Sequence, residues 1–154
     1  MGRPTKLPLG IPLLLWASLA SAQSNLGELL DAGGRMLSPE EFKLEVVQRV
    51  VVGPTATGGT LEIMYATNGS VAGKGSSPSY VGQQRFRDDS PISGEWRIDD
   101  SGRICITMRI VGTPGNALIL APRCQSWFKY DQKYFLSDSD WDRSAKVLPR
   151  TIKQ

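Results

Sequence analysis

Residues Ile92–Tyr130 read ISGEWRIDDSGRICITMRIVGTPGNALILAPRCQSWFKY. Apolar side chains alternate through the first arm at Ile92, Trp96 and Ile98. They alternate again through the second at Ile104, Ile106, Met108 and Ile110. This is the period of two that marks half-buried strands. Between the arms, Asp100-Ser101-Gly102 places a glycine where a tight hairpin turn needs a positive φ. A third arm, RCQSWFKY, returns after a loop and carries Cys124, while the second arm carries Cys105. The stretch predicts a three-stranded antiparallel meander with the two cysteines on its second and third arms.

Outward from this centre, the chain supplies more strands of the same kind. Leu61, Ile63 and Tyr65 alternate with Glu62, Met64 and Ala66, and Asn68-Gly69 follows as a strong hairpin signal. Asn68-Gly69-Ser70 also spells a glycosylation sequon, but its turn chemistry accounts for it. Arg49–Val52 is β-branched and reads as the first strand, with the end of the preceding helix as the alternative. Asp131-Gln132-Lys133 turns the chain into Tyr134-Phe135-Leu136. A last arm, Ala145–Ile152, is interrupted by Pro149 and is expected at a sheet edge or outside the sheet, because proline donates nothing to a ladder. Gly73–Pro91, rich in Gly, Ser and charge, reads as a long loop or a poorly formed strand, and Gly112–Asn116 as a second loop. Before the strands, LSPEEF announces a helix from Pro39 to about Gln48. Ser38 is the N-cap, Pro39 the first helical residue and Glu41 the other half of a capping box; Leu37 and Phe42 form a hydrophobic staple. The fold class expected is mainly β: an antiparallel meander of about six to eight strands curling into a small barrel or half-barrel, with one short N-terminal helix.

The first segment stands apart from this pattern. Arg3 and Lys6 precede an apolar run over Leu7–Leu19, and Ala20-Ser21-Ala22 offers small residues to a signal peptidase. Residues 1–22 are read as a secretory signal peptide cleaved after Ala22, leaving no membrane span in the mature chain. The chain then divides into a loosely ordered N-terminal segment, 23–37, and a single β-rich domain, 38–154. The localisation expected is periplasmic or secreted. Export also changes the charge argument, because the 18 basic residues lose Arg3 and Lys6 and leave 16 against 15 acidic. That balance gives no basic patch for nucleic acid, and no nucleic-acid partner is expected.

Two cysteines in an exported chain favour a disulfide between Cys105 and Cys124, with two buried thiols as the alternative. The sequence contains no histidine. This removes Ser-His-Asp and Cys-His catalysis and the commonest transition-metal ligand. Carboxylates remain for acid–base work: Glu95, Asp99, Asp100, Asp88 and Asp89 lie near the central hairpin, yet acidic residues are ordinary in turns. Asp138, Asp140 and Asp142 alternate like the opening of a calcium loop. Arg143 stands where that loop needs glycine, however, and Pro149 where it needs its bidentate glutamate. No catalytic residue, metal or cofactor is assigned. The candidate binding residues are the aromatics Trp96, Trp127, Phe128, Tyr130 and Tyr134. Trp127 falls on the opposite face of its arm from Cys124, Phe128 and Tyr130, so that arm has two apolar faces, as in a covered sheet or around a barrel cavity. Aromatics that simply fill the core are the plainer reading.

Taken together, the LSPEEF helix, the strand TLEIMY, the Asn68-Gly69 turn, ISGEWRIDDSGRIC and a second cysteine before an aromatic strand resemble an uncharacterised proteobacterial family of small exported proteins, domain-of-unknown-function family 995. The resemblance runs from Leu37 to about Ile152 and is most specific at Gly94-x-Trp96 followed by Gly102–Cys105. It implies a periplasmic or secreted β-rich domain and brings no catalytic residue. The length of Gly73–Pro91 departs from it. The function expected is a non-enzymatic envelope protein that binds a small ligand or a partner protein; the alternative is a carboxylate-dependent hydrolase acting on envelope glycans.

Overall fold

A computed structural model describes residues 2, 23–56, 58–76, 90–112 and 117–153. The expected signal peptide, apart from Gly2, lies outside these residues, as do 77–89, with Asp88 and Asp89, and 113–116, so the expectations of loops there fall outside them too. In chain order the elements are α1 (Leu26–Asp31), β1 (Arg35–Met36), α2 (Pro39–Glu45), β2 (Val50–Pro54), β3 (Thr60–Tyr65), β4 (Ser70–Gly75), β5 (Ser90–Ile98), β6 (Ile104–Val111), β7 (Ala117–Ile119), β8 (Arg123–Tyr130), β9 (Lys133–Ser137) and β10 (Val147–Lys153).

Strands β2 to β6 pair in sequence, β6 pairs β8, β8 and β9 lead to β10, and β10 pairs back onto β2. The result is a closed antiparallel barrel of eight strands, the architecture that removes unpaired sheet edges. The short β7 and β1 take up the parts of β6 and β8 that this ring leaves free.

The central hairpin forms as its residues dictate. Gly102 adopts φ 82°, and Asp99 exchanges backbone hydrogen bonds with Gly102 and Arg103. The Asp99 carboxylate accepts from Ser101 Oγ at 2.7 Å and from Arg103 Nε at 2.9 Å. Ile92, Ile104, Ile106 and Ile110 are buried in the main core, and Trp96, Ile98 and Met108 pack against it. The alternation read from sequence is therefore the inside of the barrel.

Helix α2 has the full capping box. Ser38 Oγ accepts from the Glu41 amide at 3.2 Å, and Glu41 Oε2 accepts from the Ser38 amide at 2.9 Å. It ends earlier than expected, at Glu45, because Val46 and Val47 are drawn into the core and Gln48 turns with φ 64° to bond the Tyr65 carbonyl. Phe42 is the helix's buried residue, and it enters the barrel end beside Leu37. Outside the barrel lies a second, smaller core. Leu26 and Leu29 of α1 are fully buried against Phe128, Phe135 and Val147. The segment 23–37, expected to be loosely ordered, thus covers the outer face of β8–β10, which is why β8 carries apolar residues on both faces.

One expectation is corrected. The arm holding Pro149 is β10, an internal barrel strand between β9 and β2. Its ladder with β2 runs only over Thr151–Lys153 against Val50–Val52. Carried two residues further, that register sets Pro149 opposite Pro54, where neither has an N–H to give. Arg150 Nη1 donates instead to the carbonyls of both prolines, at 2.8 and 2.9 Å. The proline is tolerated because an arginine side chain replaces the missing ladder.

Acid should loosen this fold through two carboxylates. The Arg35 guanidinium, with help from the Ser38 amide, lowers Glu41 from 4.5 to about 2, and the Ser101 hydroxyl and Arg103 lower Asp99 from 3.8 to about 2. Groups with depressed native values stabilise above their unfolded values and lose that contribution as pH falls through the native ones. The urea midpoint should hold flat from neutrality to about 5 and decline between about 4.5 and 2. Replacing Glu41 by Gln and Asp99 by Asn together should make that decline shallower, with Glu28, Glu45, Glu62 and Asp142, also lowered, carrying the remainder.

Candidate functional site

The two ends of the barrel differ. At the end that receives α2, four rings meet edge to face. Phe42 lies 5.4 Å from Tyr65, 5.5 Å from Trp96 and 5.4 Å from Trp127 between centroids. Trp96 Nε1 donates to the Ala66 carbonyl at 2.8 Å, so its polar edge is satisfied. A polar clamp holds the helix in place: Glu45 Oε2 accepts from Lys129 Nζ at 2.7 Å and from Tyr134 Oη at 2.5 Å. Burial works to raise the Glu45 carboxyl, but those two donors outweigh it and keep it below its ordinary range. This end is plugged.

The opposite end encloses a cavity of about 600 Å³. Its wall is built largely from inward positions of strands far apart in sequence, among them Leu61, Ile92, Ile106, Met108, Ile110 and Leu148. The volume falls within the range of small-molecule pockets, and the lining is predominantly aliphatic, with few polar groups, as in such sites. Two charged side chains stand in this wall, Arg123 at the start of β8 and Arg150 on β10, and the buried one is Arg150, 7% exposed. It shares the inward parity of Leu148 and Ile152 on β10. Gly53, opposite it on β2, leaves the room it needs, since a Cβ there would fall 2.6 Å from Arg150 Nη1. No carboxylate of a described residue pairs with Arg150. At the rim, Arg123 forms an ion pair with Asp138, which also accepts from Gln125 Nε2 at 2.8 Å. Among the described residues the rim cation is neutralised and the inner one is not.

Each of the five aromatic candidates has a definite place. Trp96 and Trp127 belong to the aromatic plug, Phe128 and Tyr130 to the outer core under α1, and Tyr134 to the clamp on Glu45. None of the five lines the cavity. Cys105 and Cys124 stand directly opposite on β6 and β8 and are joined in a disulfide, with Cα atoms 3.9 Å apart. The Asp99 carboxylate is engaged within its own turn, while Glu95 sits exposed on β5. Asp142 accepts from Ser144, and Asp138, Asp140 and Asp142 do not converge on a common point among the described residues. Sequence reading missed the aliphatic wall as a wall, and it missed Arg150. The one available signal was a cation at an inward position between Leu148 and Ile152.

No family model, curated protein or solved structure matches the chain. Among the described residues no helix is long and apolar enough to cross a membrane.

Proposed function

We propose that the protein is an exported, non-enzymatic binding protein that takes a small, largely apolar ligand into the end of the barrel away from α2. The observation that carries this reading is the aliphatic cavity of about 600 Å³, set on rigid strands and backed by a closed aromatic plug. A cavity of this size in a small domain forgoes packing contacts that would otherwise stabilise it, so its retention points to an occupant. Export is supported by the charged and apolar segment at Arg3–Leu19, by the Ala20-Ser21-Ala22 cleavage pattern and by the Cys105–Cys124 disulfide, which persists in oxidising compartments. The resemblance of the Gly94–Cys105 stretch to exported proteobacterial proteins points the same way.

The test is binding of a neutral fluorophore, N-phenyl-1-naphthylamine, whose emission rises in apolar surroundings. Wild type should saturate at one equivalent. Met108→Trp fills the wall from inside and should weaken that binding about tenfold or more, the scale on which loss of a buried apolar contact acts. Its circular dichroism should stay native. Unchanged binding by a folded Met108→Trp protein would rule out the cavity as the site.

A further inference from the structure

We propose that the cavity selects ligands with a carboxylate head group and that Arg150 is the residue that reads it. This rests on the cavity reading above and adds the chemistry of the ligand. Arg150 is fixed by Nη1, which bridges the Pro54 and Pro149 carbonyls. Neither Nε nor Nη2 donates to any described residue. Arg150 lines the cavity, and among the described residues the one fully buried side-chain polar atom without a partner is Ser126 Oγ, so the remaining Arg150 N–H groups are not sealed in packed protein. The Nε–Nη2 edge of a guanidinium presents two parallel donors whose spacing matches the two oxygens of a carboxylate.

Among the described residues no carboxylate competes for that edge. Arg123, the other cation in the wall, is already paired with Asp138. A buried cation without a counter-ion is costly, and a ligand carboxylate entering with its apolar chain along the Ile106–Met108–Ile110 wall removes that cost while burying the chain. The bridge across the two prolines explains why an arginine is tolerated here. It leaves unexplained a fork whose second edge is unpaired, and that edge is what a carboxylate would occupy.

The experiment uses the purified chain with its disulfide intact, at pH 8, with bound N-phenyl-1-naphthylamine displaced by dodecanoate, 1-dodecanol or dodecyl phosphate. Dodecanoate should displace at about tenfold lower concentration than dodecanol or less, the scale of a charge-assisted bidentate pair. Arg150→Met should bring dodecanoate down to the level of dodecanol and leave dodecanol unchanged. Should Arg150→Met fail to fold, the wild-type ratio of acid to alcohol decides the matter alone. Equal displacement by acid and alcohol overturns the inference while leaving the cavity reading intact. Dodecyl phosphate outcompeting dodecanoate overturns the carboxylate assignment. Failure of the fluorophore to bind overturns the cavity reading and this inference with it.

Discussion

Replacing Cys105 and Cys124 together by Ser should lower the unfolding free energy by about 3 kcal/mol, the chain-entropy value for a closed loop of this size. The two cysteines are 19 residues apart in sequence. What makes the bridge matter here is its place in the ring. Most neighbouring barrel strands share ladders of four to seven residue pairs, but β6 and β8 share three, with Cys105–Cys124 in the middle. After Arg123–Gln125, β8 departs to pair with β1 and β9, and beyond Ile106 β6 departs to pair with β7. The disulfide therefore closes a ring where backbone pairing is thin. Hydrogen exchange should report this directly, with the amides of Ile104–Ile106 and Arg123–Gln125 losing protection before the long β4–β5–β6 ladders do. A double Ser variant with an unchanged urea midpoint and unchanged protection at these amides would show that the three-residue ladder holds the ring closed without the bridge.

The other thin joint is β2 with β10, again three pairs, and there the Arg150 side chain spans the strands instead of a covalent bond. The two joints show what the sequence could and could not reveal. Hairpins were legible because their evidence is local: the Ile104–Ile110 alternation, the glycine at 102, the Asn68-Gly69 turn and the Ser38–Glu41 capping box all act within a few residues. Ring closure is not local. Pro149 looked like an edge residue because its missing N–H can be counted from sequence, whereas the arginine that compensates for it can be recognised only once Pro54 and Pro149 are brought face to face. The same holds for the site. Aromatic residues drew attention as binding candidates, but their size made them the plug. The cavity is made by aliphatic residues of medium size on strands that periodicity cannot bring together. Arg150 was a lone charge in a terminal arm, the kind of residue ordinarily left in solvent. Leu26 and Leu29 were equally hard to place, since a six-residue helix has no stability of its own and its partner surface is the outer face of β8–β10.

Phe42→Ala should cost about 3–5 kcal/mol, the range for removing a fully buried aromatic ring, and is expected to be the most damaging single substitution in the barrel. Phe42 is 1% exposed and lies within 5.5 Å, centroid to centroid, of Tyr65, Trp96 and Trp127. These rings come from three different strands, so the phenyl group is the common contact that ties α2 to β3, β5 and β8. A helix of seven residues is far below the length that is stable alone, and its capping box can only direct where it starts. Without Phe42, the remaining holds on the helix are Leu37, Val46 and Val47 in the core and the partly buried Glu45 clamp. The variant should therefore lose near-ultraviolet circular dichroism, which depends on fixed tryptophan surroundings, and its tryptophan emission should shift to the red. Leu44→Ala, on the same helix but 76% exposed, should change neither signal nor midpoint. If Phe42→Ala cost less than about 1 kcal/mol, the plug would not depend on α2. The barrel would then be open at both ends, and the floor assigned to the ligand cavity would have to come from Trp96 and Trp127 alone.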